Sequence, residues 1–260
     1  MAVRSPGRRP KPPAWRLPPP PPLLPPPTPL PPPPPPSPRP PRPKDAYQAL
    51  LWDIGTERDL IAFRRAGGQS VLDQARMTLR RRLPEVMERW IGTRYSYNGT
   101  SQVPKTGKLA CGYYVTTVLQ HAGFKVDRVD MARQPSEQII RSLVPDPAIE
   151  RFSFVSRGEI VKRVEALGEG VYLAGLDTHI GFLVNKRGSS VKFCHSTSRQ
   201  RKIGVICEPA KTSKSFSSRY TVLGKLEEPP LLDAWLTGSA LPTARKHQPQ
   251  APVMLSVAEP

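Results

Sequence analysis

Three cysteines, Cys111, Cys194 and Cys207, and four histidines, His121, His179, His195 and His247, are the side chains best suited to covalent chemistry in this chain. A cysteine attacks as its thiolate, so it needs a lowered pKa or a base beside it. Cys111 opens a segment whose apolar residues, Tyr114, Val115, Val118, Leu119 and Ala122, fall at helical spacing before Gly123. That spacing predicts a helix with Cys111 at its start, where unpaired N–H groups and the helix dipole favour a thiolate. His121 lies on the same helix, about 15 Å away at 1.5 Å per residue, and cannot serve as the base. His247 falls in a proline-bearing terminal stretch. His179 and His195 remain.

These two fall on neighbouring strand-like segments, His179 to Val184 and Val191 to Ser196. A loop at Lys186-Arg187-Gly188, with glycine in the left-handed position, pairs His179 directly with His195 on one face. A base held by a second polar group is what acyl-transfer catalysis needs, because the second group fixes the tautomer and supports the imidazolium. Cys194 alternates out of phase with His195 and is expected on the opposite face. Cys207 ends a later strand with no histidine nearby in sequence. An odd cysteine count suggests no disulfide framework, so three free thiols are expected. No Cys/His spacing suits zinc, and neither a metal nor a cofactor is called for.

The elements that must carry these residues divide into two groups. A helix is expected over Asp45 to Phe63, broken at Gly67-Gly68. A second runs from Ser70 to Trp90, with Pro84 placed to kink or divide it and Arg80, Arg81 and Arg82 on its solvated face. A loop rich in Gly, Ser and Thr follows from Gly92 to Leu109, ahead of the Cys111 helix. Ser136 and Ser156 begin two short helices, the latter through a Ser156-x-x-Glu159 capping box. From Gly170 the period becomes that of strands: Val171 to Leu176, the two histidine-bearing segments, Ile203 to Cys207, and Arg219 to Leu223. Helices first and an antiparallel sheet after them is an α+β pattern.

Of 35 prolines, most precede residue 44, in runs such as Pro18 to Pro22 and Pro31 to Pro36. Proline lacks the N–H and fixes φ, so residues 1–44 are expected to be a disordered, polyproline-like tail. Residues 45–227 are long enough for one domain with a proper core, and residues 228–260 read as a second disordered tail. The formal charge is +18, with eight Lys or Arg and no acid before Asp45. Such a tail meets anionic surfaces, but no motif for specific nucleic-acid binding is present. No stretch reaches the ~18 apolar residues of a membrane span. Leu23-Leu24 among prolines is not the apolar core of a signal peptide, so the expectation is either no export by this start or a true start elsewhere.

Tyr95-Ser96-Tyr97-Asn98-Gly99-Thr100, followed by Gly107-Lys108-Leu109-Ala110-Cys111-Gly112, resembles the approach to the active site of NlpC/P60 cysteine peptidases. Thr178-His179-Ile180-Gly181-Phe182-Leu183 resembles that family's His-Val-Gly strand. Phe193-Cys194-His195-Ser196 resembles the next strand, which carries the third polar residue. The resemblance spans Tyr95 to Ser198. It implies a papain-like fold, with Cys111 as nucleophile, His179 as base and His195 as the orienting group. It further implies Tyr95, Tyr97 and Gly112 at the substrate, the Cys111 N–H in an oxyanion hole, and cell-wall peptides cut at amide bonds beside D-glutamate. A location in the cell envelope or outside the cell would follow. Ala110 and Gly112-Tyr113 stand where the family carries Asp and Ser-Gly, residues that help hold the free amino end of its peptide. The chemistry is therefore carried by more residues than the substrate is. An acyltransferase or thioesterase on the same fold, and an inactive proline-rich adaptor, remain open alternatives.

Overall fold

The computed structural model describes residues 40–64, 69–198 and 204–244. Residues 1–39 of the expected N-terminal tail, the Gly67-Gly68 break and residues 245–260 lie outside the described residues. Helix α1 (Ala46–Phe63) starts where the Asp45 carboxylate accepts hydrogen bonds from the N–H groups of Tyr47 and Gln48. Residues just ahead of it are held: Trp52 Nε1 donates to the Pro40 carbonyl at 2.9 Å, and Arg42 pairs with Asp53 at 2.8 Å.

Helix α2 (Gln69–Trp90) runs through Pro84 without dividing. Ala75, Leu79, Leu83, Val86, Met87 and Trp90 are all buried along one side, and that packing outweighs the lost backbone bond. The arginines of α2 are not simply a solvated face. Arg81 and Arg82 clasp Glu57 of α1, and Arg80 grips the buried carboxylate of Glu227 at 2.7 Å.

Two short strands, β1 (Arg94–Tyr95) and β2 (Lys108–Leu109), pair in parallel ahead of α3 (Cys111–His121). Helices α4 (Arg128–Ala132) and α5 (Ser136–Arg141) follow, then β3 (Ile149–Ser153). Helix α6 (Arg157–Ala166) begins with the expected Ser156–Glu159 capping box. The remaining strands are β4 (Gly170–Leu176), β5 (Ile180–Asn185), β6 (Lys192–Thr197), β7 (Gly204–Pro209) and β8 (Tyr220–Lys225). They form an antiparallel six-stranded sheet with β3 in the order β3-β8-β4-β5-β6-β7. The protein is thus a mixed α+β fold.

The sheet is covered on both faces, which explains why every residue of β4 is buried. Val171 and Leu173 join Ile180, Phe182 and Cys194 in a core with the longer helices. Their alternating neighbours Tyr172 and Ala174 join Leu183, Phe193 and Ile160 of α6 in a second core.

Two further expectations are corrected. The chain beyond Glu227 is not a tail throughout: α7 (Pro229–Thr237) buries Leu231, Leu232, Trp235 and Leu236, and Trp235 Nε1 donates to the Ala122 carbonyl at 2.7 Å. Pro229 sits in the first turn, where a missing N–H is harmless, and Gly238 ends the helix at φ +64°. The β5–β6 hairpin pairs Phe182 with Cys194 and Leu183 with Phe193, so its register is two residues from the expected one. A slip of two leaves each side chain on its original face, whereas a slip of one would have parted the histidines.

Candidate active site

Residue by residue, the site begins with the loop that delivers Cys111. The Ala110 N–H donates to the Gly99 carbonyl at 2.9 Å, folding the loop back over the start of α3. Ser196 of β6 donates through Oγ to the Leu109 carbonyl at 2.7 Å, anchoring the approach to the sheet. Cys111 is the first residue of α3 and is half-buried. A Cβ on Gly112 would collide with the Ala132 carbonyl, so that glycine lets α3 and α4 pack closely.

The peptide N–H groups of Ile180, Gly112 and Cys111 itself favour the Cys111 thiolate. Ile180 is the residue after His179 and opens β5. Burial pushes the Cys111 thiol up, and the three N–H groups oppose this only in part. The expectation of a lowered thiol pKa from the helix start alone is corrected: desolvation outweighs the nearby N–H groups.

His179 and His195 come together as the sequence suggested. Nε2 of His179 lies 2.8 Å from Nδ1 of His195, with the rings edge to face. The His195 ring is wholly buried and stacks on Phe193 at a centroid distance of 4.3 Å. Gly181 makes this possible. A Cβ there would stand 2.8 Å from the His195 Cβ, 2.8 Å from the Cys194 carbonyl oxygen and 2.7 Å from the Phe193 ring.

On its far side, His195 Nε2 lies 3.4 Å from Oε1 of Glu208, a carboxylate missed in the sequence. Ser213 Oγ donates to the same oxygen at 2.6 Å. Glu208 pairs with Phe193 across β6 and β7, which puts it on the His195 face. The alternation of β7 could have shown this, had its register been known.

A cleft of about 380 Å³ opens beside His179, lined by Tyr95, Asp177, Thr197, Ser198 and Ser215 among others. Cys111 is not part of that lining. Burial raises the Tyr95 phenol, and the charge of Cys111 raises it further. Tyr97, expected at the substrate, is 83% exposed and does not line the cleft. His121, set aside by distance, is engaged elsewhere: its Nδ1 lies 2.7 Å from the Tyr47 hydroxyl, which also accepts from Trp90 Nε1.

Cys194 and Cys207 are not free thiols. They face each other across β6 and β7 and are joined by a 2.04 Å disulfide. Counting cysteines could not reveal this, because an odd total still allows one pair when the third stands apart. Cys111 is the free thiol among the described residues. No family model matches the chain, and no curated protein matches it.

Proposed function

We propose that the domain is a papain-like cysteine hydrolase that cleaves amide bonds through a thioester on Cys111. The observation that carries the reading is the 2.8 Å contact between His179 and a buried His195, with His179 next in sequence to Ile180, whose N–H favours the Cys111 thiolate. A thiol on a helix start, an imidazole on the facing strand and a buried group holding that imidazole are the parts needed for acyl transfer.

In this reading the thiol is protonated at rest, because burial raises it, and the base acts during attack. Since Nε2 of His179 is committed to His195, Nδ1 takes the proton from sulfur as the thiolate adds to the substrate carbonyl. The tetrahedral oxyanion is stabilised by peptide N–H groups at the start of α3. His179 then returns its proton to the departing amine, leaving a thioester. Water attacks that thioester while His179 accepts a proton, and the acid and the thiol are released.

The substrate rests on the residue resemblance to NlpC/P60 peptidases, which favours cell-wall peptides. The disulfide supports work in an oxidising compartment, in keeping with a cell-envelope or secreted enzyme. Among the described residues, no helix is long and apolar enough to cross a membrane. The test is incubation of the protein with peptidoglycan fragments and with amide and ester reporters, with products read by mass spectrometry. Cleavage by the wild type and its loss in Cys111→Ala are expected. Transfer of the acyl group to an added amine, in preference to water, would favour the acyltransferase alternative. No turnover of any of these substrates would count against the hydrolase.

A further inference from the structure

We propose that Glu208 is a positioning residue that fixes the tautomer of His195 and, through it, leaves Nδ1 of His179 as the basic nitrogen; the proposal rests on the hydrolase reading above. The argument starts from what each atom can do. An ionised carboxylate only accepts hydrogen bonds. Glu208 Oε1 already accepts from Ser213 Oγ at 2.6 Å and lies 3.4 Å from Nε2 of His195. Facing a carboxylate, that nitrogen carries the proton. A neutral imidazole has one N–H, so Nδ1 of His195 is then an acceptor.

Nδ1 of His195 lies 2.8 Å from Nε2 of His179, which must therefore be the donor. By the same rule, Nδ1 of a neutral His179 has a lone pair, and that nitrogen can remove the thiol proton. Reversing the His195 tautomer would make its Nδ1 a donor, place the proton of His179 on Nδ1 and abolish its function as a base. Because His195 is wholly buried, no bulk water is available to set its tautomer instead.

The location of Glu208 supports a dedicated arrangement. It lies on β7 across from Phe193, and the Cys194–Cys207 disulfide joins the neighbouring pair. The covalent link therefore fixes the register of the two strands one residue from both His195 and Glu208. Ser213 is itself buried and holds the carboxylate from the turn that follows β7. When His179 is protonated during the reaction, the Glu208 charge also supports the positive charge shared along the two imidazoles.

The test reads tautomer and reactivity separately, on the full, oxidised protein. Nitrogen-15 imidazole shifts should show His195 protonated on Nε2 in the wild type. A His195 protonated on Nδ1 in the wild type overturns the proposal without any variant. Glu208→Ala should give a mixed tautomer and slow iodoacetamide labelling of Cys111, by on the order of 10-fold, the lower range for losing a group that orients a functional histidine. Glu208→Gln retains an acceptor oxygen and should restore both signals in large part. Wild-type tautomer and wild-type labelling in Glu208→Ala would refute the role, as would a Glu208→Gln variant no better than Glu208→Ala. Labelling of Cys111 that is unaffected by His179→Ala would instead sink the hydrolase reading, with the tautomer measurement still deciding the part played by Glu208.

Discussion

Gly181→Ala probes the histidine arrangement with one methyl group. In the present backbone its Cβ stands 2.7–2.8 Å from the Phe193 ring, the Cys194 carbonyl oxygen and the His195 Cβ, whereas ordinary contact begins near 3.4 Å. Something must move by roughly 0.6–0.7 Å. The Cys194 carbonyl is held in the sheet and by its disulfide, and His195 and Phe193 are fully buried, so no flexible end can absorb the shift. Overpacking of this kind costs about 1–3 kcal/mol. At roughly 2–4 °C per kcal/mol for a domain of this size, the melting temperature should fall by about 2–12 °C. Displacing His195 also draws His179 off line. A misplacement approaching 1 Å can cost on the order of 100-fold in rate, so Cys111 labelling and any turnover should fall by one to two orders of magnitude. Differential scanning fluorimetry and timed iodoacetamide labelling measure the two effects. A variant with the wild-type melting temperature and labelling rate would refute both the close packing of β5 on β6 and the dependence of the thiol on the histidine pair.

The free thiol makes labelling simple: in oxidised protein Cys111 should react alone, and His179→Ala should slow it more than His195→Ala, as read by peptide mapping. Since burial raises the thiol above its ordinary 9.0, the labelling rate of His179→Ala should still be climbing past that pH, and a plateau near neutrality would contradict the reading. Reducing the Cys194–Cys207 bond, 13 residues apart, should lower stability by about 3 kcal/mol, measured as the difference in denaturant unfolding with and without reductant. His121 is lowered to about 4 by burial and by the Arg128 charge, below its ordinary 6.5. The unfolded chain therefore binds more protons between those values, so this histidine's contribution is complete above pH 6.5 and is lost as pH falls toward 4; His121→Gln should flatten that part of the curve of melting temperature against pH. Trp235→Ala should cost roughly 3–5 kcal/mol by equilibrium unfolding.

Much of the fold is local in origin and legible in the residues themselves. Asp45 and Ser156 cap the helices they precede, and the helical period after Cys111 places that residue at the start of α3. Strand alternation was enough to put His179 and His195 on one face, because any even error in register preserves it. The resemblance to a peptidase family named the same three residues, and its account of their chemistry remains a proposal. Tertiary structure decided what depends on partners distant in sequence. Pro229-Pro230 looks like a tail until Trp235 finds the Ala122 carbonyl and the helical core. Cys194 and Cys207 look like two thiols until β6 and β7 pair them. Glu208 is one acid among 21 until that pairing brings it to His195. The thiol pKa followed the same rule: the helix start is written in the sequence, but desolvation is a sum over everything that surrounds the sulfur, and only the folded chain supplies those surroundings.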